Sequence, residues 1–307
     1  MRFLHNDTER FTEVVTAVSG KINVDPALVE KDYFVTLFLK HLAEKEPLLV
    51  FRGGTCLSKC FKIIKRFSED IDIGHIGTGA PSHIRKKEMK QQITETIDHL
   101  KLTFTNPKDV HSGWDHNLYK VSYPSLFKSL SLKQHLEVET HFFTGSFPTV
   151  NIGTASFIYD YLKERVSYDV ISEYGLEPFE VCVQALERTF VDKIFAVCDY
   201  YLTERIDGQS RHLYDVHKIL PHMNLNGGLK DLIEKVRKLR EGKRDCLSAA
   251  EDISLPYVIG DIMAKDVYRR DYNERTVPLL YETVTYADVA ETMRKITDWL
   301  KRSDAGA

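Results

Sequence analysis

The chain has 307 residues, 43% of them hydrophobic and 28% charged, which is the composition of an ordinary globular protein with enough length for one large core or two smaller ones. Its net charge of −3 excludes a global attraction to nucleic acid. With no apolar run of about eighteen residues, a membrane-spanning helix and a membrane partner are excluded too. Five cysteines (Cys56, Cys60, Cys182, Cys198 and Cys246) contain no Cys-x-x-Cys pair and point to reduced thiols in a cytoplasmic setting. The first ten residues turn polar and acidic at once, unlike a secretion signal.

Residues 8–44 carry apolar positions at roughly helical spacing, and Asp25-Pro26 predicts a helix start. The short apolar run 48–51 predicts a strand. Arg52-Gly53-Gly54-Thr55 forms a turn after it, followed by Leu57, Phe61 and Ile64 at helical spacing. Asp70-Ile71-Asp72-Ile73 alternates polar and apolar, as a half-buried strand does. Residues 86–100 predict a helix with Met89, Ile93, Ile97 and Leu100 on one stripe. Residues 118–123 and 135–143 predict strands, and the glycine- and proline-containing stretch 144–154 predicts a loop at a domain boundary. Beyond it the sequence predicts a short helix at 156–165, a strand at 179–183, helices at 186–202 and 211–220, and further helices with breaks at Asn226-Gly227-Gly228 and Gly242. The last five residues read as a disordered tail. The expected fold class is α+β or α/β and bilobed. Residues 1–150 would form a mixed-sheet lobe with N-terminal helices, and residues 151–307 a mostly helical lobe completing the active cleft.

The chemistry is concentrated between residues 50 and 73. Side chains at i and i+2 of a strand share a face, so Asp70 and Asp72 project together while Ile71 and Ile73 enter a core. Two adjacent carboxylates repel unless a cation lies between them, and a hard dication such as Mg²⁺ prefers oxygen ligands. Taken alone, an Asp-x-Asp pair is more often a solvent-facing strand edge. Here glycines that let backbone N–H groups approach a phosphate precede it, and Thr55 adds a hydroxyl donor. Cys56 and Cys60 lie one helical turn apart, but no second pair completes a metal site, so they read as packing residues. Basic runs at 85–90 and 230–244, the latter with seven Lys/Arg against three acids, read as solvated helix faces or as tracks for an RNA backbone.

Gly53-Gly54-Thr55, Leu57, Lys59 and the run Arg66-Phe67-Ser68-Glu69-Asp70-Ile71-Asp72 resemble the signature of the AbiEii/AbiGii-type nucleotidyltransferase toxins. This MenT-like branch belongs to the DNA polymerase β-like nucleotidyltransferase superfamily. The resemblance covers residues 45–220. It implies nucleoside triphosphate binding by Gly53, Gly54, Thr55, Lys59, Arg66, Ser68 and Arg211, and metal ligation, by two Mg²⁺ ions, at Asp70, Asp72 and a third acid. On a later strand Leu136-Glu137-Val138 matches best, with Glu139 the alternative. Relatives commonly have a basic residue before this acid, where this chain has His135-Leu136. Residues 186–196 resemble the helix that carries a functional lysine, at Lys193. Arg211-His212-Leu213-Tyr214-Asp215 resembles a later motif that brings Asp215 to the cleft to orient Lys193 or an acceptor hydroxyl. His212 stands where many relatives have an acid. Read without the resemblance, Lys193 is a surface lysine paired to Glu187 or Asp192, and Arg211–Asp215 is a surface ion pair. Ser68 reads either as a loop hydrogen-bonding residue or as a modification target.

The implied activity is transfer of a nucleotide from a nucleoside triphosphate to an RNA acceptor, the tRNA 3′ end, with loss of pyrophosphate. Blocking aminoacylation in this way stops growth. The implied partner is a cognate antitoxin, a winged-helix regulator. Transfer to a protein hydroxyl, an Asp-x-Asp glycosyltransferase and a non-catalytic nucleic-acid-binding module remain as alternatives.

Overall fold

The computed structural model describes residues 2–130 and 132–304. The chain folds as two units. The first comprises residues 1–60 and 69–183, the second residues 61–68 and 184–307.

The first unit opens with two helices, α1 (Thr8–Ile22) and α2 (Pro26–Lys45). Asp7 caps α1 by accepting from the Arg10 N–H, and Asp25 caps α2 with Pro26 at its first position, the placement a proline tolerates. There follow β1 (Leu49–Arg52), the short helix α3 (Gly53–Lys59), β2 (Ile71–His75), α4 (His83–His99), β3 (Thr103–Phe104), β4 (His116–Ser122), β5 (His135–His141) and β6 (Thr149–Thr154). Helices α5 (Phe157–Glu164) and α6 (Tyr168–Glu173) and strand β7 (Phe179–Gln184) complete it. The strands form one seven-stranded mixed sheet in the order β3-β4-β5-β2-β1-β7-β6. Strands β1 and β2 are antiparallel, β2 and β5 parallel, and β4 and β5 antiparallel.

Two sequence expectations change here. The helix after the glycines starts at Gly53 itself and stops at Lys59, so Phe61 and Ile64 do not extend it. Residues 61–68 instead join the second unit, where Phe67 N–H donates to the Leu279 carbonyl at 2.9 Å and Tyr281 N–H to that of Lys65 at 2.8 Å. The stretch 144–154, expected as loop, contains β6, and the division expected at residue 150 falls within that strand. Its Thr and Val residues favour extended backbone despite the neighbouring glycine and proline.

The sheet has one apolar face. Ile71, Ile73, Tyr119, Val121, Leu136 and Val138 are all essentially inaccessible. The alternation that buries them turns the intervening Asp72, Glu137, Glu139 and His141 to the opposite, half-exposed face. Helix α2 is buried along most of its length and carries charged groups into the interior. Glu30 accepts from the Leu126 N–H and the Ser125 hydroxyl, both at 2.7 Å. Lys31 pairs with Glu69 and donates to the Lys133 carbonyl at 2.9 Å.

The second unit is helical, with α7 (Leu186–Leu202), α8 (Arg211–Ile219), α9 (Gly227–Arg240), α10 (Leu255–Ala264), a single turn α11 (Arg269–Asp271) and α12 (Tyr286–Asp304). Asn226 caps α9 by accepting from the Leu229 N–H, so the predicted glycine break is a helix start. Helix α12 continues through the first two residues of the expected tail; residues 305–307 lie outside the described residues. Among the described residues no helix is long and apolar enough to cross a membrane.

Candidate active site

In the first unit the acids converge through strand register. Parallel pairing sets Ile71 beside Val138 and Asp72 beside Glu139. Asp70 immediately precedes β2. One ligand oxygen from each of Asp70, Glu137 and Glu139 lies within 4.8 Å of the others. Asp72 is adjacent to this group and accepts from His141 Nε2 at 3.2 Å.

Asp70 Oδ1 is buried without a hydrogen-bond partner, with Lys133 Nζ 3.6 Å away. Burial raises the Asp70 pKa to about 6; Lys133 opposes this, and the charges of Asp72, Glu137 and Glu139 add to it. Glu137 is affected differently. Burial would raise its pKa, but Lys133 and His135, which bond its carboxylate, hold it below the usual range. Glu139 is held well below by hydrogen bonds from His116 and then His141. The cluster is therefore an oxygen-only donor set with one carboxylate oxygen lacking a partner, and it suits a hard dication.

Gly53 explains part of the glycine motif. Its φ of +79° lies where side chains are disfavoured, and a Cβ there would overlap the Asp72 carboxylate. The glycine lets the start of α3 lie directly against Asp72. Gly54 and Thr55 are buried in α3. Lys59 pairs with Asp32 of α2 at 2.6 Å, and Ser68 lies in the 61–68 segment of the second unit.

The second unit holds its own charged cluster. Asp215 on α8 is fully buried and receives three bonds: Arg66 Nε at 2.6 Å, Arg66 Nη2 at 2.8 Å and Lys193 Nζ at 2.6 Å. Burial alone would raise the Asp215 pKa, but the charges of Arg66 and Lys193 outweigh it and hold the carboxyl far below its ordinary value. Burial lowers the Lys193 pKa, against the pull of Asp215. Lys193 is thus a buried partner of Asp215, not of Glu187 or Asp192. Arg211 is exposed, and the guanidinium that clamps Asp215 is Arg66. Tyr214, beside Asp215, accepts from the Lys65 N–H at 2.8 Å and donates to Glu282 at 2.6 Å, tying the 61–68 segment to α8. His212 stacks on Tyr200, and burial holds its imidazole well below the usual pKa.

Sequence reasoning missed one pairing and one pair of residues. Arg66 and Asp215 were both expected site residues, but their pairing spans 149 residues and has no local signal. His116 and His141 face each other across β4 and β5. The alternation His135-x-Glu137-x-Glu139-x-His141 announces that these side chains share a strand face, so His141 was within reach of the sequence.

Of the basic runs, most cations near residue 88 are held internally. Arg85 bonds Glu46 and Glu88, Lys86 bonds Asp115, and Lys90 donates to the Val110 carbonyl. In the second run Arg237 reaches the carbonyls of Ser248, Ala250 and Ile253, and Arg240 pairs with Asp199. Cys56 and Cys60 are both buried and neither forms a disulfide, as expected of packing residues.

A seven-stranded mixed sheet with acids gathered on adjacent strands, behind a glycine-led helix, defines the class: an α+β fold of nucleotidyltransferase type. The family model described as nucleotidyl transferase AbiEii toxin, type IV toxin–antitoxin system, matches residues 37–297. The chain belongs to this AbiEii family of nucleotidyl transferase toxins. The match extends well beyond the motif-bearing segment 45–220 and takes in the C-terminal helices. Membership carries a nucleoside triphosphate as substrate and an antitoxin as partner. No curated protein matches the chain.

Proposed function

We propose that the protein is a Mg²⁺-dependent enzyme that transfers a nucleoside monophosphate from a nucleoside triphosphate to the 3′ end of tRNA. The observation that carries the reading is the convergence of Asp70, Glu137 and Glu139 beside Asp72, with a buried Asp70 oxygen that has no hydrogen-bond partner. Asp70, Asp72 and one or both glutamates would hold the metal. Glu139 joins Glu137 as a candidate third acid because its register sets it beside Asp72. Bound Mg²⁺ supplies positive charge to the phosphates and lowers the pKa of the acceptor hydroxyl.

The chain's own residues act around that charge. Gly53 allows α3 to approach Asp72, and the backbone of Gly53, Gly54 and Thr55 offers donors to phosphate oxygens. The acceptor oxygen bonds the α-phosphorus and loses its proton. The bond from the α-phosphorus to its bridging oxygen breaks, and pyrophosphate leaves. Lys193, oriented by Asp215, is the cation assigned to the phosphates, and Arg66 fixes Asp215. Arg211, Lys59 and Ser68 are secondary nucleotide contacts in this reading. The antitoxin is expected to be a winged-helix regulator.

The test is transfer of α-labelled ATP, CTP, GTP and UTP, separately, to total tRNA and to cell protein, with the Asp70→Ala/Asp72→Ala protein as control. Label on tRNA that disappears in the control supports the reading. Label on protein moves the acceptor to a side-chain hydroxyl. No label on either, from folded protein with Mg²⁺, refutes it.

A further inference from the structure

A second group of ligands lies beside the carboxylate cluster, and its chemistry is different. His116 on β4 and His141 on β5 are cross-strand partners, with ring centroids 4.9 Å apart. Both turn Nε2 toward the same oxygen of Glu139, at 3.3 and 3.2 Å. One nitrogen from each histidine and one Glu139 oxygen lie within 4.8 Å of one another. The three side chains are 44%, 27% and 25% exposed, so an ion can enter from solvent.

The spacing is longer than a charge-assisted hydrogen bond prefers, which is about 2.7–2.9 Å. It fits a shared metal better. Ligands about 2.0–2.1 Å from a tetrahedral ion stand roughly 3.3–3.4 Å apart. Two imidazoles with a carboxylate suit a first-row transition dication; Mg²⁺ favours oxygen-only surroundings. Strand pairing sets the geometry, because His116 and His141 are directly opposite and Glu139 lies on the same face two residues before His141.

We propose that His116, Glu139 and His141 form a binding site for a borderline-soft dication of the Zn²⁺ or Co²⁺ type, separate from the oxygen-only cluster but sharing Glu139 with it. Occupancy commits Glu139 to the histidine side and takes it from Asp70 and Glu137. His141 also leaves Asp72, to which it otherwise donates. A transition dication at this site therefore inhibits the nucleotide transfer proposed above. That consequence rests on the transfer reading; the binding itself does not.

The test is titration of the full-length, metal-stripped protein with Co²⁺ and with Zn²⁺, in the absence of nucleotide, followed by calorimetry and by visible absorption of the cobalt form. One Co²⁺ binds per chain, with d–d bands of an N/O site, and Zn²⁺ displaces it while a large excess of Mg²⁺ does not. His116→Asn and His141→Asn each weaken binding by about tenfold or more. Circular dichroism and melting verify that each variant is folded, and His116, the more exposed of the two, provides the variant least able to disturb the core. No Co²⁺ binding, binding unchanged by both substitutions, or thiolate charge-transfer absorption would each overturn the proposal. Because the assay contains no nucleotide, a failed transfer experiment leaves its result intact.

Discussion

Replacing Asp215 with asparagine keeps the volume and removes a charge that bonds two buried cations. The side chains of Arg66 and Lys193 are 5% and 9% exposed, and both bond Asp215 at 2.6 Å. Breaking a buried ion pair from one side costs about 3–5 kcal/mol, because the remaining charge is uncompensated. Lysine has an escape. Shedding its proton at pH 7, from an ordinary pKa near 10.4, costs roughly 1.36 kcal/mol for each of about 3.4 units, or about 4.6 kcal/mol. Arginine has none, since its guanidinium stays charged. Asp215→Asn is therefore expected to destabilise the second unit by about 3–5 kcal/mol. The two tryptophans make the measurement specific, since Trp114 belongs to the first unit and Trp299 lies on α12 in the second. In a Trp114→Phe background, Trp299 fluorescence follows urea unfolding of the second unit. Adding Arg66→Met and Lys193→Met to Asp215→Asn should recover most of the loss, because a packed apolar replacement is close to neutral. A loss below about 1 kcal/mol, the worth of an exposed pair, would refute the assignment of Asp215 as a buried counter-ion.

The same carboxylate predicts a pH dependence. Its folded pKa is depressed, so its contribution is complete above the unfolded value near 3.9 and is lost as pH falls toward the folded one. The contribution of the Asp215 carboxylate itself should fall away below about pH 4, and the stability gap between the wild type and Asp215→Asn should narrow there, as urea titrations at each pH would register. Gly53→Ala puts a methyl group into the Asp72 carboxylate at a φ costing about 1–2 kcal/mol, so transfer should fall at least tenfold while the melting curve shows a folded protein; wild-type transfer rates would contradict the close approach. Glu30→Ala removes the acceptor for the Ser125 hydroxyl and the Leu126 N–H, and hydrogen exchange at residues 125–127 should accelerate by about fivefold or more, corresponding to about 1–3 kcal/mol. Unchanged exchange there would show that other contacts hold the loop.

Local pattern made several elements legible. The Asp-x-Asp alternation placed Ile71 and Ile73 in the core and Asp72 on the other face, because a strand's two-residue period is a property of the backbone itself. The helix predicted at 186–202 has those bounds in the structure, and Asp25-Pro26 does start α2. The glycine motif was legible as a turn, but not the reason for Gly53, which is the carboxylate of a residue nineteen positions on. Helix continuity past Lys59 was misread because Phe61 and Ile64 keep a helical spacing while packing with another part of the chain.

What the sequence determined by itself is therefore whatever depends on neighbours along the chain: the strand and helix periods, the caps, and the motif that marks the family. Only the tertiary structure decided which distant groups meet. It joined Arg66 to Asp215, set Glu139 beside Asp72 and brought His116 opposite His141. Strand register and charge pairing across long chain separations are fixed by burial and by the need to compensate charges away from water. Those energies belong to the folded arrangement, and no local stretch of residues encodes them.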